Sequence, residues 1–248
     1  MLRKFLKFNR DTASWLERKF PYYFVSPSYY AELQLRIAQD IAKFQPSSIV
    51  EVGGIDRPLL KRSKKYEYIG IDIEAQPTCA EKYDKFIVQS IEQPVNFETD
   101  MVISITLLEH VPNNSAAVTV IFNALKDEGT THHYIPSKWH LYSIALRLVG
   151  PRMQKRLIAL LRPAAVDVTG YPAFFNHCSP RAMTALFNMV GFSEVRLTCY
   201  YGACDYFAFF IPAYLVVATF ENLCKFLSLE LFCSGFVISA KKSTRLES

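Results

Sequence analysis

Ile49-Val50-Glu51-Val52-Gly53-Gly54-Ile55-Asp56 is an apolar, β-branched run that breaks on a glycine pair, and Tyr68-Ile69-Gly70-Ile71-Asp72 is a second apolar run that ends on an acid. The spacing of about twenty positions between glycine and acid is the layout of a nucleoside pocket in a doubly wound α/β fold. Glycine lets a backbone pass close to a ligand, and a carboxylate can accept hydrogen bonds from both hydroxyls of a ribose. These two stretches place Glu51, Gly53, Gly54 and Asp72 in a candidate nucleoside site. Glu74 is the alternative to Asp72 if the strand ends two residues later.

Outward from this pair, short apolar runs alternate with helical patterns. Strands are expected at 48–53, 66–73, 85–89, 100–105, 130–135, 193–201 and 231–241. Helices are expected at 28–44, at 115–125 with Ser115 as its cap, and at 179–190 closed by Gly191. Alternation of this kind implies parallel crossovers. The first 20 residues mix Lys and Arg with Leu, Phe and Trp15 at helical spacing, and Pro21 ends that pattern. Two further helical stretches, 137–161 and 205–229, interrupt the core as insertions. The expected organisation is therefore a helical segment at 1–46, an α/β domain at 47–241 carrying both insertions as a cap, and a short tail at 242–248.

With 248 residues, half of them hydrophobic and 14% aromatic, the chain can bury one sizeable core, and disorder by composition is excluded. The net charge of +5 is modest. Basic residues gather at Arg3 to Arg10 and at Arg147 to Arg162, a pattern that suits an anionic membrane surface at least as well as nucleic acid, for which no motif is present. The uncharged run Tyr206 to Phe220 is shorter than the roughly 20 residues that span a bilayer. It reads as a buried or interface-lying helix. Six cysteines without a metal-like spacing read as free thiols in a reducing compartment. The basic start lacks the apolar stretch and cleavage site of a signal peptide, so a cytoplasmic protein is expected, with peripheral contact at the inner membrane face.

A third element decides between cofactors. Asp100-Met101-Val102-Ile103-Ser104-Ile105-Thr106 runs into Leu107-Leu108-Glu109-His110-Val111-Pro112. This string resembles the Leu-Glu-His signature of class I S-adenosylmethionine (SAM)-dependent methyltransferases of the methyltransferase-11-like group. Arg57-Pro58 after the glycines, Pro136-Ser137-Lys138 and Tyr171 to Pro180 resemble bacterial glycan-modifying members, and the likeness runs from about Ser47 to Lys241. It implies a seven-stranded Rossmann-like sheet, SAM as methyl donor, and binding roles for Asp72 at the ribose, Ser90 near the adenine, and Ser104 and Thr106 at the methionine end. Ser90 stands where many members carry aspartate, and reads equally as an ordinary loop residue. The chain departs from the family at Ile55 and Arg57, which stand where its second and third glycines are expected. Glu109 and His110 read as braces of their loop.

Three of the five histidines, His132, His133 and His140, lie close together, but neighbours on a strand face opposite ways and no carboxylate or cysteine completes a ligand set, so no metal is expected. His177 is a candidate general base for an acceptor hydroxyl, with helix capping as its alternative, and His140 is the reserve. The resemblance implies O-methylation of a sugar or glycolipid precursor. A small lipophilic acceptor such as a quinone precursor, and a non-catalytic module with the same fold, remain as rivals. A nicotinamide enzyme is disfavoured because the phosphate-cradling GxGxxG is absent, and RNA methylation because no dense basic patch is evident.

Overall fold

The structure is a computed structural model that describes residues 1–150, 153 and 171–243. Of the charged residues in the basic stretch 147–162 only Arg147 is among them, and so is only the first part of the insertion at 137–161.

Seven strands form one sheet in the order β3-β2-β1-β4-β5-β7-β6. They are β1 (Ser48–Val52), β2 (Glu67–Asp72), β3 (Lys85–Val88), β4 (Thr99–Ile105), β5 (Leu125–Pro136), β6 (Phe192–Tyr200) and β7 (Gly235–Lys242). β1 lies parallel to both β2 and β4, and the pairs β2–β3 and β4–β5 are parallel too. Every residue of β1 is buried, which explains a continuous apolar run in place of alternation. The chain winds outward from β1 to β3 and then returns to β4, so strand order reverses between β1 and β4. Such folds bind ligands at that reversal, beyond the strand C-termini.

Most boundaries fall within two residues of expectation, and four features differ for identifiable reasons. β5 begins at Leu125, because a bulge opposite Thr99/Met101 absorbs residues between Leu125 and Thr130. Helix Asn114–Ala124 is capped by Asn113, whose side chain accepts from the Ala116 N–H at 3.1 Å, and not by Ser115. The stretch 205–229 is not one helix: a 3-10 turn at Cys204–Phe207 precedes helix Ile211–Phe226, where Pro212 sits in the first turn and has no N–H to extend it backward. A second 3-10 turn at Glu230–Phe232 delays β7 to Gly235.

In chain order the helices are α1 (Leu2–Lys19), α2 (Pro21–Phe24), α3 (Tyr29–Phe44), α4 (Cys79–Lys82), α5 (Asn114–Ala124), α6 (Leu141–Val149), α7 (Pro180–Val190) and α8 (Ile211–Phe226). The chain divides into two compact units. One comprises residues 29–135, 174–198 and 237–248 and holds most of the sheet; the other comprises 1–28, 136–173 and 199–236 and is mainly helical.

In the sheet unit, α3 is tied down by Arg36, whose guanidinium donates to Glu32 at 2.8 Å, Thr198 at 2.5 Å and Ser239 at 3.1 Å. α7 ends on Gly191 in the left-handed conformation (φ 113°), as its position after the last apolar residue requires. In the helical unit, Ala13 of α1 joins Cys204, Tyr214, Val217 and Ala218 in a buried cluster against which Leu16, Phe24 and Leu141 pack. Asn9 and Glu17 of α1 accept from the Ile211 N–H at 2.9 Å and the Tyr214 hydroxyl at 3.2 Å. Among the described residues no helix is long and apolar enough to cross a membrane.

Candidate functional site

Beyond β1 the backbone turns at Gly53, whose φ of 83° suits glycine and whose N–H donates to Ile71 O at 2.9 Å, locking the turn to the end of β2. A Cβ on Gly53 would stand 2.7 Å from Leu107 Cδ1. A Cβ on Gly54 would collide with the Tyr83 hydroxyl and approach Glu51 Oε1 at 2.6 Å. Both glycines are therefore required by close approach, the second one by a tyrosine that carries no local sequence signal.

Among the described residues eight non-glycines have φ in the left-handed region, and four of them belong to the loops at this end: Ile55, Thr106, Phe175 and His177. A β-branched residue held there is costly, and such strain concentrates at binding sites. Ile55, which stands where the resemblance expects a glycine, thus keeps a glycine-like conformation (φ 43°).

Glu51 is fully buried, and its carboxylate accepts from the Leu59 N–H at 2.9 Å and from the Tyr68 hydroxyl. Burial pushes its pKa up to about 7 against those two bonds, which favour the charged form. The carboxyl thus holds the loop after β1 to β2. Asp72 closes β2, half-buried, with Oδ1 accepting from the Glu74 N–H at 3.1 Å. Burial raises its pKa against that hydrogen bond, so further donors, such as a diol, have charge to stabilise. Ser90 Oγ lies 3.2 Å from both the N–H and the carboxylate of Glu92, in a local turn.

Ser104 is buried, and its hydroxyl is engaged in the core. Thr131 Oγ1 donates to Val102 O at 2.9 Å, so it accepts from His133 Nε2, which leaves His133 Nδ1 to accept from Ser104 Oγ at 2.7 Å. Burial pushes the His133 pKa down to about 3, so the ring is neutral. Its neighbour His132 meets Ser239 at 2.9 Å and Asp40 at 3.0 Å instead. Among the described residues no group of three or more His, Cys, Asp or Glu side chains could hold a metal. Thr106 anchors its N–H to Tyr134 O at 3.0 Å.

The fold brings the Leu-Glu-His string and the Phe174–Ser179 loop together. Glu109 O accepts from the N–H groups of Phe174 and Phe175 at 2.8 and 3.0 Å. Asn114 Nδ2 donates to Leu108 O at 2.8 Å and to Asn176 O, and Asn176 Nδ2 donates to Pro112 O at 2.9 Å. At this junction Glu109 is 4% exposed, its Oε2 has no hydrogen-bond partner among the described residues, and burial raises its pKa to about 8. His177 Nδ1 is likewise buried without a partner.

His140 belongs to the helical unit. Its Nδ1 accepts from the Tyr142 N–H at 3.2 Å, which assigns the proton to Nε2, 2.9 Å from Glu221 Oε1. Despite that approach, Nε2 is buried without a hydrogen-bond partner among the described residues. A cleft of about 510 Å³ beside α5 is lined by Glu92, Asn113, Thr119 and Asn123, and by none of the candidate residues.

No family model and no curated protein matches the sequence. Solved structures do. A SAM-dependent methyltransferase from Archaeoglobus fulgidus superposes with TM-score 0.52 at 16% identity over 92% of this chain and 98% of its own. Phosphoethanolamine N-methyltransferase 2 from Haemonchus contortus, in complex with S-adenosyl-L-methionine, gives 0.53 at 13% over 98% of this chain, which spans 60% of that protein. The N-methyltransferase NodS from Bradyrhizobium japonicum gives 0.50 at 10%, over 86% of this chain and 87% of its own. With strand order 3-2-1-4-5-7-6 and its loops meeting at the reversal between β1 and β4, the chain has the fold of the class I SAM-dependent methyltransferases.

Proposed function

We propose that the chain is a SAM-dependent methyltransferase that methylates an oxygen of a sugar or glycolipid precursor at the cytoplasmic face of a membrane, in peripheral contact with it. One observation carries the cofactor reading: the left-handed residues Gly53, Ile55 and Thr106 and the carboxylate Asp72 converge on the sheet's topological reversal. Bound SAM supplies an electrophilic methyl group. Asp72 accepts the ribose hydroxyls, the backbone at Gly53 and Gly54 admits the nucleoside, and Ser90 and Thr106 line its two ends. The protein's main task is to align the acceptor and exclude water. An oxygen acceptor must also lose a proton. Of the two candidate bases, His177 lies in the sheet unit, on the loop that docks on Glu109, and His140 in the helical unit, so His177 is assigned the proton.

Calorimetric titration with S-adenosylhomocysteine tests the cofactor site. Saturable binding weakened about tenfold or more in Asp72→Ala, about 1.4 kcal/mol, is expected, whereas no binding by folded wild-type protein sinks the reading and favours a non-catalytic module. Methyl label transferred from SAM into a lipophilic, sugar-free acceptor fraction would replace the glycan acceptor with a quinone-like one.

A further inference from the structure

The helical unit carries an outward surface that its own packing leaves uncovered. α1 buries Leu6, Asn9 and Ala13 and turns Phe5, Phe8 and Trp15 outward, Phe8 being 68% exposed. The same helix has six basic side chains against two acidic ones, and no acid precedes Asp11, so Arg3, Lys4, Lys7 and Arg10 alternate with Leu2, Phe5 and Phe8. α8 buries Tyr214, Val217, Ala218, Glu221 and Cys224 and exposes Leu215, Val216, Leu223 and Phe226, a stripe without charge in which Phe226 is 84% exposed. Leu227, Leu229 and Leu231 extend it. α2 joins the two helices. Tyr23 donates to Thr219, which lies between Val216 and Leu223 on the exposed stripe, at 2.9 Å. Asn222 Nδ2 donates to Tyr23 O at 2.8 Å, and Tyr22 beside it is 98% exposed.

Apolar and aromatic side chains interleaved with Lys and Arg suit a surface that is oily beneath and negative on top. A core-packing role would bury the aromatics, and a dimer face would have no use for the cations Arg3, Lys4 and Lys7 beside them. We infer that this surface, the outer side of α1, α2 and α8, docks the protein on an anionic lipid bilayer. Phe5, Phe8, Tyr22 and Phe226 enter the headgroup and acyl boundary, and Arg3, Lys4 and Lys7 lie against the lipid phosphates. The inference rests on the reading above for the membrane as partner and on none of its cofactor chemistry. It places the attachment chiefly on the amino-terminal helix.

Co-sedimentation of the full chain with phosphatidylcholine vesicles, with and without phosphatidylglycerol, tests it, alongside homocysteine-cofactor titration in vesicle-free buffer. Binding only to the anionic vesicles is expected, falling about fivefold for each cation removed, as in Lys4→Gln or Lys7→Gln. Phe8→Glu and Phe226→Glu, both at exposed positions, should weaken it while circular dichroism and cofactor titration stay unchanged. Equal binding to both vesicle types, no binding to either, or a concentration-dependent dimer that Phe226→Glu dissolves in place of vesicle binding overturns the docking surface. A chain that binds vesicles but not S-adenosylhomocysteine overturns the cofactor reading alone.

Discussion

The end of β1 and the loop that follows β4 each hold one buried glutamate, and the two carboxyls live differently. Glu51 is saturated: a backbone N–H and a phenol hold it, and its work is to fix the loop at Gly53. Glu109 is equally buried, yet its backbone carbonyl does the bracing while one carboxyl oxygen meets no donor among the described residues. A buried polar group that is satisfied is structural, whereas one left unpaired in a native fold calls for another explanation. The same residue type at two neighbouring strand ends thus occurs once satisfied and once not.

Substitutions can break this contrast. Glu51→Ala strands the Leu59 N–H and the Tyr68 hydroxyl in the interior and should cost about 3 kcal/mol in urea unfolding. Should Glu109→Ala cost as much, the distinction between the loops fails. The pH response sharpens it. Both carboxyls have folded pKa values above the ordinary 4.5, so each contributes stability that is full below that value and is lost as pH rises through its folded pKa. For Glu109 the loss runs up to about pH 8. Glu109→Gln therefore gains on the wild type between pH 5 and 8, by at most about 1.4 kcal/mol per pH unit, and a constant difference across that range would contradict a buried neutral acid. Gly53→Ala links the loops, since its Cβ meets Leu107 at a left-handed backbone position. It should cost about 1–2 kcal/mol and weaken S-adenosylhomocysteine binding by more than the stability loss explains. Ile55→Gly should change stability by less than about 1 kcal/mol, because relief of left-handed strain offsets the extra freedom of the unfolded chain. A large loss there would show that the isoleucine side chain, not its backbone, organises the loop.

The strands and the reversal between β1 and β4 were legible because they rest on local pattern: buried β-branched runs, a glycine pair and a terminal acid. What pattern could not reveal is contact between distant segments. Nothing near Gly54 announces that Tyr83 will press on it, and nothing near Ser104 that His133 will take its hydroxyl. The docking of Phe174 and Phe175 on Glu109 joins two strings that sequence reading singled out separately. Ser115 looked like a cap because serine is a good one, but Asn113 reaches the free N–H first. Ile55 looked like a lost glycine, because sequence reports the side chain and not the φ angle it accepts.

The buried cysteines have a practical consequence. Cys79 and Cys178 lie in the sheet unit, and Cys204, Cys224 and Cys233 in the helical one, all buried and none in a disulfide. Burial, reinforced by nearby Glu221, pushes the Cys204 thiol up to about 12, far from the reactive thiolate. Each thiol therefore stays silent towards alkylating reagents until its surroundings open. Pulsed alkylation read by peptide mass makes the five a built-in clock of local unfolding, and the order in which they react tells which unit comes apart first.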